Sequence, residues 1–461
     1  MNLIQKHFSP DFTSEAFDTA TEIVKKLRSA GFTAYIVGGA VRDMYCGKTP
    51  KDFDITTSAV PEEIMTLFEK TIPLGASFGV VTVVCNNMNF EVATYREERD
   101  YMDGRRPETL RYSKTPQEDV SRRDFTINAL LYDPEEQCIL DYIGGMEDLK
   151  RGVIRTIGPA RQRFSEDYLR MLRAVRFTVR FGFELEYDTA QAIRELAEKL
   201  SLLSVERIRE ELSSMLCGVT PDRSLRLLSE LGILKVILPE VEAYRGVEQP
   251  PKYHPEGDVF EHTMLMLTHI AVPSPAIAWA VLLHDVGKPA TQRFAEDGTP
   301  HFYGHEDLGA DLTEQIMRRL KFSSTMIQSV TLAVRNHMRF AAVQRMRPNK
   351  WRKMIADPNF PLELELHRLD CIGCHGFLDN YIWLLDKITE LKNANMTELP
   401  QPLLNGNDLL KLGLRPGPLM GRWLNQIRDL QLDGKISGKQ QALDLICEWI
   451  AKKKIDTTGK D

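Results

Sequence analysis

The first third of the chain switches repeatedly between helical and strand-like hydrophobic patterns. Apolar side chains recur at helical spacing over residues 15–30, and a further helix is expected over residues 40–46. Short apolar or β-branched runs predict strands at residues 32–37, 53–57, 80–85 and 89–95. Residues 30–150 therefore indicate a mixed α/β domain.

The remainder of the chain has a helical pattern almost throughout. From about residue 165 onward apolar positions follow helical spacing, and the prolines at 250, 251, 273 and 275 interrupt them. Because 461 residues exceed what one hydrophobic core usually organises, we expect several units. We predict four segments, namely residues 1–150, 151–240, 241–385 and 386–461.

The composition is that of an ordinary globular protein. Hydrophobic residues make up 43% and charged residues 27%, and the formal net charge is −6, which argues against disorder and against a basic coat over the whole chain. The most apolar stretch, residues 276–283, is far too short to span a bilayer, and the first residues show no signal-peptide pattern. Seven widely spaced cysteines favour reduced thiols. We therefore expect a cytoplasmic protein that has no membrane partner.

Positive charge is concentrated in one part of the chain. Residues 151–180 contain eight arginines but only two acids, Glu166 and Asp167, so the local sum is 8 − 2 = +6. A basic stripe of this kind is typical of a surface that meets phosphate-rich partners. A solvated helix face is the simpler alternative.

Two aspartates stand at a spacing that suits metal binding. Alternate residues of a strand share one face, so Asp52 and Asp54 would present their carboxylates side by side, which favours Mg²⁺. Paired metal ions are typical of phosphoryl transfer. The preceding Gly38-Gly39 pair leaves the backbone open to a phosphate at the start of a helix. An isolated Asp-x-Asp is usually a surface turn, but here it follows Gly38, Gly39 and Arg42 within 17 residues.

The motifs around these aspartates resemble those of a known family. Residues 37–43 and 51–54 look like the opening of class II tRNA nucleotidyltransferases and bacterial poly(A) polymerases, which belong to the polymerase-β-like superfamily. Residues 122–129 resemble their ribose-contacting motif, and residues 166–176 resemble the segment that selects CTP or ATP without a nucleic-acid template. The resemblance covers about residues 30–215.

The resemblance implies both a fold and a reaction. The fold is a polymerase-β-like α/β nucleotidyltransferase head with a mixed sheet, followed by an all-α body. The reaction is the Mg²⁺-dependent, template-independent addition of CCA, from CTP and ATP, to the 3′ end of tRNA. The family also includes A-adding tRNA nucleotidyltransferases and poly(A) polymerases, and both remain alternatives.

The resemblance also assigns roles to individual residues. Asp52 and Asp54 would be the catalytic Mg²⁺ ligands. The expected nucleotide-binding residues are Gly38, Gly39, Arg42, Arg122, Arg123, Asp124, Asn128, Asp167, Arg170, Arg173 and Arg176. Glu91, on a nearby predicted strand, is either a third acid of the site or an exposed strand residue, and we leave it outside the metal set.

Asp167 is expected to share one side of a helix with three of these arginines, since the four positions are three residues apart. An aspartate and an arginine together offer acceptors and a planar donor fork, which can address the edge of a base. We therefore predict that Asp167 and Arg170 select the nucleotide. An intrahelical salt bridge between them is the alternative.

Residues 96–106 bear on the product. CC-adding members of the family look shortened in this segment, whereas the present chain keeps Tyr101 and a glycine that is followed by two arginines. We interpret the segment as a mobile, phosphate-contacting loop, which counts against CC-only addition. A plain surface connection is the alternative.

Nine of the ten histidines lie between residues 254 and 375. Within that window the ordered set His262, His284-Asp285 and Asp370 resembles the metal site of the HD phosphohydrolase superfamily, in which His305 and His337 would be additional ligands. Imidazole and carboxylate suit a divalent transition metal, which can activate water for phosphoester hydrolysis. This HD-type helical domain is either a second catalytic site or a scaffold.

A further alternative makes HD-type hydrolysis the main activity of a protein whose head only binds RNA. The other histidines in the window are expected to be structural or solvent-facing, and they are His254, His269, His301, His367 and His375.

Two shorter features need a separate interpretation. Residues 371–375 match the Cys-x-x-Cys-His pattern of haem attachment, but they lie in mid-chain directly after Asp370, so we predict no haem. Zinc is also disfavoured there, because it would need two more ligands close by. The final segment resembles the C-terminal helical region of the family, although Asn405 stands at the position of its first glycine.

Overall fold

The computed structural model describes residues 3–75, 79–101, 107–394 and 399–458. The chain divides into two compact units, Met1–Glu242 and Ala243–Asp461. The finer division into four segments stays a prediction. Among the described residues, no helix combines the length and the apolar character that crossing a bilayer requires.

A mixed sheet organises the first unit. Its strands are β1 (Ile4–His7), β2 (Ala34–Val37), β3 (Asp54–Thr57), β4 (Thr71–Gly75), β5 (Val80–Cys85), β6 (Met88–Thr94), β9 (Leu131–Asp133) and β10 (Cys138–Asp141). Their order is β1-β10-β9-β2-β3-β6-β5-β4. Only the β3–β6 pair is parallel among these neighbours, and the others are antiparallel. The predicted mixed sheet is confirmed, and each predicted strand lies within two residues of an observed one.

Strands β7 (Arg96–Tyr101) and β8 (Pro107–Tyr112) form a separate antiparallel hairpin, in which Arg96 pairs with Tyr112. The expected loop over residues 96–106 is therefore wrong as far as Tyr101. Residues 96–101 are mostly charged, so they show no hydrophobic alternation. They nevertheless form a strand, because their backbone groups pair with those of β8. Residues 102–106 lie outside the described residues.

The helices of the first unit surround and follow this sheet. They are α1 (Glu15–Ser29), α2 (Gly39–Tyr45), α3 (Pro61–Leu67), α4 (Pro116–Ser121), α5 (Gly145–Arg151), α6 (Ala160–Glu166), α7 (Leu169–Phe181), α8 (Tyr187–Leu196), α9 (Val205–Leu216), α10 (Pro221–Glu230), α11 (Leu234–Ile237) and α12 (Pro239–Glu242). Two 3₁₀ segments, Thr126–Asn128 and Ala197–Leu202, and the short paired strands β11 (Val153–Ile154) and β12 (Glu184–Leu185) complete the unit.

Helix α1 shows why the sequence pattern was informative. Its apolar residues Ala20, Ile23, Val24 and Leu27 are all buried on one face, as an amphipathic helix against a core requires. Arg28, at the end of this helix, donates to both carboxylate oxygens of Asp133 at 2.8 Å. The charge pair thereby fixes α1 to strand β9.

The second unit is helical except for a short hairpin of β13 (Arg293–Phe294) and β14 (Pro300–His301). Its helices are α13 (Val259–Thr268), α14 (Pro275–Leu283), α15 (Lys288–Thr291), α16 (His305–Arg319), α17 (Ser324–Asn336), α18 (Pro348–Ile355), α19 (Phe360–Gly373), α20 (Asp379–Asn393), α21 (Gly406–Lys411), α22 (Pro418–Leu432) and α23 (Lys439–Thr458), with a 3₁₀ segment at His337–Arg345. Helix α14 is apolar on all sides and its last seven residues are buried, which places it at the centre of this unit.

The last helices share a core of their own, built from Leu404, Leu409, Met420, Ile427, Ile436, Ala442 and Ile446. Asn405 caps helix α21, since its side chain accepts from the backbone N–H of Asp408 at 3.1 Å. Its φ angle is −123°, so the position does not demand the left-handed freedom of a glycine. A capping asparagine is a stable choice there.

Candidate catalytic site and metal centre

Two exposed carboxylates flank a buried phenylalanine at the start of β3. Asp54 pairs with Val37 of β2, and Asp52 precedes it by two residues. Phe53 points inward, where it packs against Phe17 with ring centroids 5.7 Å apart. Because alternate residues of an extended chain face opposite sides, burial of Phe53 leaves Asp52 and Asp54 together on the accessible side.

A third carboxylate lies beside them. Glu91 is on β6, the parallel neighbour of β3, and it is exposed. The surrounding protein and the negative charges of Glu91 and Asp52 raise the pKa of Asp54, while Arg123 opposes the rise. Carboxylates that raise one another's pKa by charge repulsion favour a bound cation. Among the described residues of the head, no three such side chains bring ligand atoms within 4.8 Å of one another.

Gly38 makes the turn between β2 and α2 with a φ angle of +76°. A Cβ atom at this residue would lie 3.3 Å from Nη1 of Arg123, and a Cβ at Gly39 would lie 3.4 Å from Nη2 of Arg42. The glycine pair therefore permits both the left-handed backbone and the close approach of two guanidinium groups.

Arg42 is buried and fixed on several sides. It donates to Oδ1 of Asn128 at 2.6 Å and to Oδ1 of Asp43 at 2.9 Å, and its guanidinium lies 4.4 Å from the ring centre of Phe181. Burial lowers the pKa of Arg42, and the charge of Asp43 opposes this effect. Such a guanidinium has a single orientation before any ligand arrives.

Two largely enclosed acids lie in and just before the predicted ribose motif of residues 122–129, with side chains 10% and 0% exposed. Asp124 accepts from Arg173 at 2.8 Å, from Asn128 at 3.2 Å and from its neighbouring backbone N–H at 2.8 Å. Burial alone would raise the pKa of Asp124, but these partners hold it below the usual range.

The second buried acid, Asp119, was missed from the sequence. It accepts from Arg122 at 2.7 Å, from Arg123 at 3.3 Å and from the hydroxyl of Thr56 at 3.1 Å. Asp119 precedes the two arginines by three and four residues. That helical spacing was the available signal.

Asp167 departs from the predicted arrangement. It follows the end of α6 with an extended backbone, at a φ angle of −152°, and so does not share helix α7 with the arginines. Its carboxylate accepts two bonds from Arg207 of α9, at 3.1 and 2.7 Å. The expected single helix is therefore wrong at this residue, because the carboxylate also accepts the N–H of Leu169 at 3.0 Å and starts a new helix.

Three of the four arginines of α7 each have a different acidic partner. Arg170 binds Glu166 at 2.7 Å, Arg173 binds Asp124, and Arg176 binds Glu211 of α9 at 2.6 Å. The alternative of an Asp167–Arg170 salt bridge is therefore also wrong. Arg207 and Glu211 were absent from the predicted set, although they stand four residues apart on one helix.

The histidine window forms one buried cluster in the second unit. His262, His284, Asp285, His305 and His337 are each no more than 6% exposed. The closest contacts are 3.1 Å between Nε2 of His284 and Oδ2 of Asp285, 3.1 Å between the Nε2 atoms of His305 and His337, and 3.2 Å between Nε2 of His262 and Oδ1 of Asp370. The structure thus brings together all six residues of the predicted HD set.

Three of these histidines have the same ring orientation for the same reason. Nδ1 of His284, His305 and His337 lies 2.8, 2.8 and 2.6 Å from the carbonyl oxygen three residues earlier, those of Val281, Phe302 and Val334. A carbonyl only accepts, so Nδ1 carries the proton and Nε2 faces the cluster. Burial and the neighbouring His284 lower the pKa of His337 to about 4, so this ring is neutral at pH 7.

The cluster fits a divalent metal ion. Nε2 of His262, Nε2 of His284 and both carboxylate oxygens of Asp285 are buried without a hydrogen bond of good geometry, which is unfavourable unless a cation satisfies them. Ligand atoms of His262, His284 and Asp285 lie within 4.8 Å of one another, as do those of Asp285, His305 and His337. Lys288 lies 2.7 Å from Oδ2 of Asp285 and pairs with that oxygen by charge, so Oδ1 is the oxygen of Asp285 that a metal ion would satisfy.

Two residues next to the cluster were not assigned to it from the sequence. Oε1 of Glu256 lies 2.7 Å from Nδ1 of His262 and 2.9 Å from Nδ1 of His254. His254 was expected to be structural or solvent-facing, and Glu256 was not considered. Burial would raise the pKa of Glu256, but the two histidines lower it to about 2. Burial would likewise lower the pKa of His262, whereas Asp370 and Glu256 raise it to about 9.

The Cys-x-x-Cys-His segment ends helix α19. Cys371 is buried against His367, 3.7 Å from Nδ1, and burial together with the charge of Asp370 raises the pKa of its thiol to about 12. A protonated, buried thiol is a poor ligand and a poor nucleophile.

Three domain families match parts of the chain. The "Poly A polymerase head domain" matches residues 34–155, the "Probable RNA and SrmB- binding site of polymerase A" matches residues 182–245, and the "HD domain" matches residues 259–360. The nucleotidyltransferase and HD domains both indicate the use of divalent metal ions.

Named relatives match over about half or nearly all of the chain. The CCA-adding enzyme of Leuconostoc mesenteroides is 32% identical over 432 residues, which are 93% of this chain and 96% of that enzyme. The CCA-adding enzyme of Geobacillus stearothermophilus is 46% identical over 217 residues, 47% of this chain and 54% of that enzyme. The crystal structure of the Bacillus stearothermophilus CCA-adding enzyme in complex with CTP matches 96% of this chain and 100% of its own, with a TM-score of 0.71 and 27% identity.

The fold and the two sites define a nucleotidyltransferase whose head is followed by a helical body with an HD domain. The predicted class is thereby confirmed. Since the Leuconostoc relative exceeds 30% identity over nearly its full length, the assignment can be made at the level of the family. The chain belongs to the family of CCA-adding enzymes.

Proposed function

We propose that the protein adds CCA to the 3′ end of tRNA, using CTP and ATP. Its full-length similarity to CCA-adding enzymes supports this function. The observation that carries it is the pair of exposed carboxylates, Asp52 and Asp54, beside a glycine turn that is held open for two guanidinium groups. Nucleotidyl transfer requires acidic side chains that bind metal next to cationic side chains that bind phosphate.

Asp52 and Asp54 hold Mg²⁺, with Glu91 contributing negative charge beside them. Held there, Mg²⁺ would supply the positive charge that activates the terminal 3′-hydroxyl of tRNA and offsets the charge of the leaving pyrophosphate. Gly39 and Arg42 receive the triphosphate. The fixed orientation of Arg42 supports this role, because a guanidinium that needs no reorganisation binds phosphate more tightly.

Asp167 and Arg170 select the base, and Arg123 with Asp124 contacts the ribose. In the absence of nucleotide, Arg207 holds Asp167 and Glu166 holds Arg170. These partners orient both groups while leaving further acceptor and donor positions for the edge of a base. Arg122, Asn128, Arg173 and Arg176 support this arrangement through the ion pairs and hydrogen bonds described above.

Nucleotide incorporation on a tRNA that ends at its discriminator base tests the function. CTP alone should extend the product by two residues and ATP should then add one. Use of ATP alone would indicate an A-adding enzyme, and repeated AMP addition would indicate a poly(A) polymerase. The double variant Asp52→Ala, Asp54→Ala should lose addition, whereas Asp188→Ala, at an exposed aspartate of α8, should retain it.

A second candidate activity is phosphoester hydrolysis in the HD domain. It is favoured by the buried ligand atoms of His262, His284 and Asp285, which lie within 4.8 Å of one another and lack hydrogen bonds of good geometry. These residues and Asp370 would hold a divalent transition metal, and His305 and His337 would hold a second ion. Such a metal lowers the pKa of bound water to give a nucleophile at neutral pH.

A model phosphodiester assay with Mn²⁺, Co²⁺ or Ni²⁺ tests this activity. Hydrolysis by the wild type that disappears in His284→Ala, with CCA addition intact, would support a second active site. A metal-loaded wild type that hydrolyses nothing would make the domain a scaffold. Hydrolysis without CCA addition would instead favour an HD phosphohydrolase whose head only binds RNA.

The protein acts in the cytoplasm. This location is supported by its proposed tRNA substrate and by its seven cysteines, all of which are free. Fractionation of cells with an antibody against the protein tests it.

A further inference from the structure

His262 differs from the other histidines of the metal cluster in how its ring is held. His284, His305 and His337 each bond Nδ1 to the carbonyl three residues earlier. At His262 the corresponding carbonyl belongs to Val259, and it already accepts a 2.8 Å bond from the hydroxyl of Thr263. The local turn therefore does not supply the partner that fixes the other three rings.

A carboxylate takes the place of that carbonyl. Oε1 of Glu256 lies 2.7 Å from Nδ1 of His262, while the next acceptor, the carbonyl oxygen of Gly373, is more distant at 3.3 Å. Glu256 comes from the segment before α13, and its side chain is only 9% exposed. A buried carboxylate on Nδ1 forces Nε2 to be the metal-facing nitrogen and makes it more basic.

Glu256 is itself held in place. The same oxygen, Oε1, lies 2.9 Å from Nδ1 of His254, whose ring packs edge-on against that of His262 with centroids 5.0 Å apart. His254 thus contacts the same carboxylate oxygen as His262 and holds it in place. The chain His254–Glu256–His262 ends at Nε2 of His262, which points to Oδ1 of Asp370 at 3.2 Å.

We propose that Glu256 is the positioning residue for the first histidine ligand of the HD metal site and that His254 holds Glu256 in that position. This inference rests on the proposed metal site of the HD domain. Ligand atoms of His254, Glu256 and His262 also lie within 4.8 Å of one another, as a separate metal site would need. The geometry favours positioning, because one oxygen is shared between two ring nitrogens at hydrogen-bond distance.

Metal binding by the full-length protein tests the proposal. The protein is stripped with a chelator and titrated calorimetrically with Mn²⁺, and the Co²⁺ form is examined by visible absorption. Glu256→Ala should weaken Mn²⁺ binding by about 10–100-fold and change the Co²⁺ spectrum, because the His262 ring is released. Glu256→Gln keeps an acceptor but loses the charge, so it should fall between Ala and wild type. His254→Ala should weaken binding less than Glu256→Ala.

Asp258→Ala is the matched control. Asp258 caps the helix that carries His262 through the N–H of Glu261 at 2.9 Å, without touching the histidine ring. This variant should lower the melting temperature and keep the Mn²⁺ affinity. If it weakens binding as much as Glu256→Ala does, the effect of Glu256 is structural and the proposal is overturned.

The remaining outcomes separate the inference from the site on which it rests. If the wild-type protein binds neither Mn²⁺ nor Co²⁺, the HD metal site itself is refuted. A wild type that binds, with Glu256 variants of equal affinity and unchanged Co²⁺ spectrum, leaves the site standing and overturns the positioning role. Loss of one whole equivalent of metal in Glu256→Ala, with the other unaffected, would mark Glu256 as a ligand instead.

Discussion

Arg123 connects three parts of the head at the scale of a single residue. It donates to the buried Asp119, its charge opposes the rise in the pKa of Asp54, and its Nη1 atom occupies the space beside Gly38. A guanidinium so placed belongs both to the metal-binding acids and to the phosphate-binding turn. Arg123 can occupy this position because Gly38 has no side chain.

Gly38→Ala should therefore reduce nucleotide addition by about tenfold or more. The new Cβ would meet Nη1 of Arg123 at 3.3 Å, and the positive φ angle should lower stability by about 1–2 kcal/mol. Gly31→Ala is the control, since its φ angle is +91° but no atom lies within 4 Å of the added carbon. It should lose similar stability, measured by urea unfolding, with little change in addition. Equal activity of the two variants would contradict the role given to Arg123.

Glu91→Gln should shift the pH dependence of addition. Asp54 must be ionised to bind metal, so activity falls as pH drops through its raised pKa. Removing the negative charge of Glu91 lowers that pKa, and the acid limb of kcat/KM should move to lower pH with a similar plateau. A loss of more than about 100-fold at every pH would show instead that Glu91 is an essential ligand.

Single residues were predictable where local pattern decides their position. Asp52 and Asp54 could be placed because Phe53 between them has to be buried. The partners of Asp167 could not, since its bond to Arg207 spans 40 residues and depends on how α9 packs. The break before α7 was also hidden, because good helix-forming residues stand on both sides of it.

At the scale of elements, helix α7 forms ion pairs with acidic residues on three other segments. Positions three residues apart differ by about 60° around a helix, so successive arginines diverge rather than form one stripe. Arg170, Arg173 and Arg176 accordingly reach Glu166, Asp124 and Glu211. The helix is tied to the ribose motif and to α9 by these pairs.

Asp124→Asn should remove one of these ion pairs and make the stability of the first unit depend less on pH in the acidic range. The pKa of Asp124 is lowered in the folded protein, so its stabilising effect is present above the usual aspartate pKa of about 4 and is lost as pH falls through the lowered value. The variant should be about 1–3 kcal/mol less stable at pH 7 and should lose less on acidification. Urea unfolding at several pH values measures both effects, with the exposed Asp188→Asn as the control.

Strands and helices were predictable to the extent that they bury a regular apolar face. Helix α1 and strands β3, β5 and β6 have such faces and lie within two residues of the expected limits. The β7–β8 hairpin has almost none, and its two strands pair with each other without an alternating apolar pattern in the sequence.

At the scale of the whole molecule, the two candidate sites lie in different compact units. The carboxylates of the head belong to Met1–Glu242, and the histidine cluster belongs to Ala243–Asp461. Ligands of one site should therefore stabilise mainly their own unit. The order of the motifs along the chain predicted that the two sites are separate. The six residues of the HD set, in contrast, lie on elements far apart in sequence, and the fold brings them together.

Mn²⁺ should raise one calorimetric unfolding transition and leave the other in place. At 100 times its dissociation constant, an ion adds about 2.7 kcal/mol of stability, which moves a unit of this size by roughly 5–10 °C. His284→Ala should abolish the shift, while a shift caused by CTP should persist in that variant. Displacement of both transitions by Mn²⁺ in His284→Ala would contradict the assignment of the metal to the second unit.

The carbonyl bonds of His284, His305 and His337 have a kinetic consequence. Each ring already turns Nε2 toward the cluster before a metal ion arrives, so neither ring rotation nor backbone movement has to precede capture at these rings. The slow step is then the loss of water by the ion itself. Metals that exchange water slowly should load late even when they bind tightly, so the ion found in a freshly made molecule reflects speed as well as affinity.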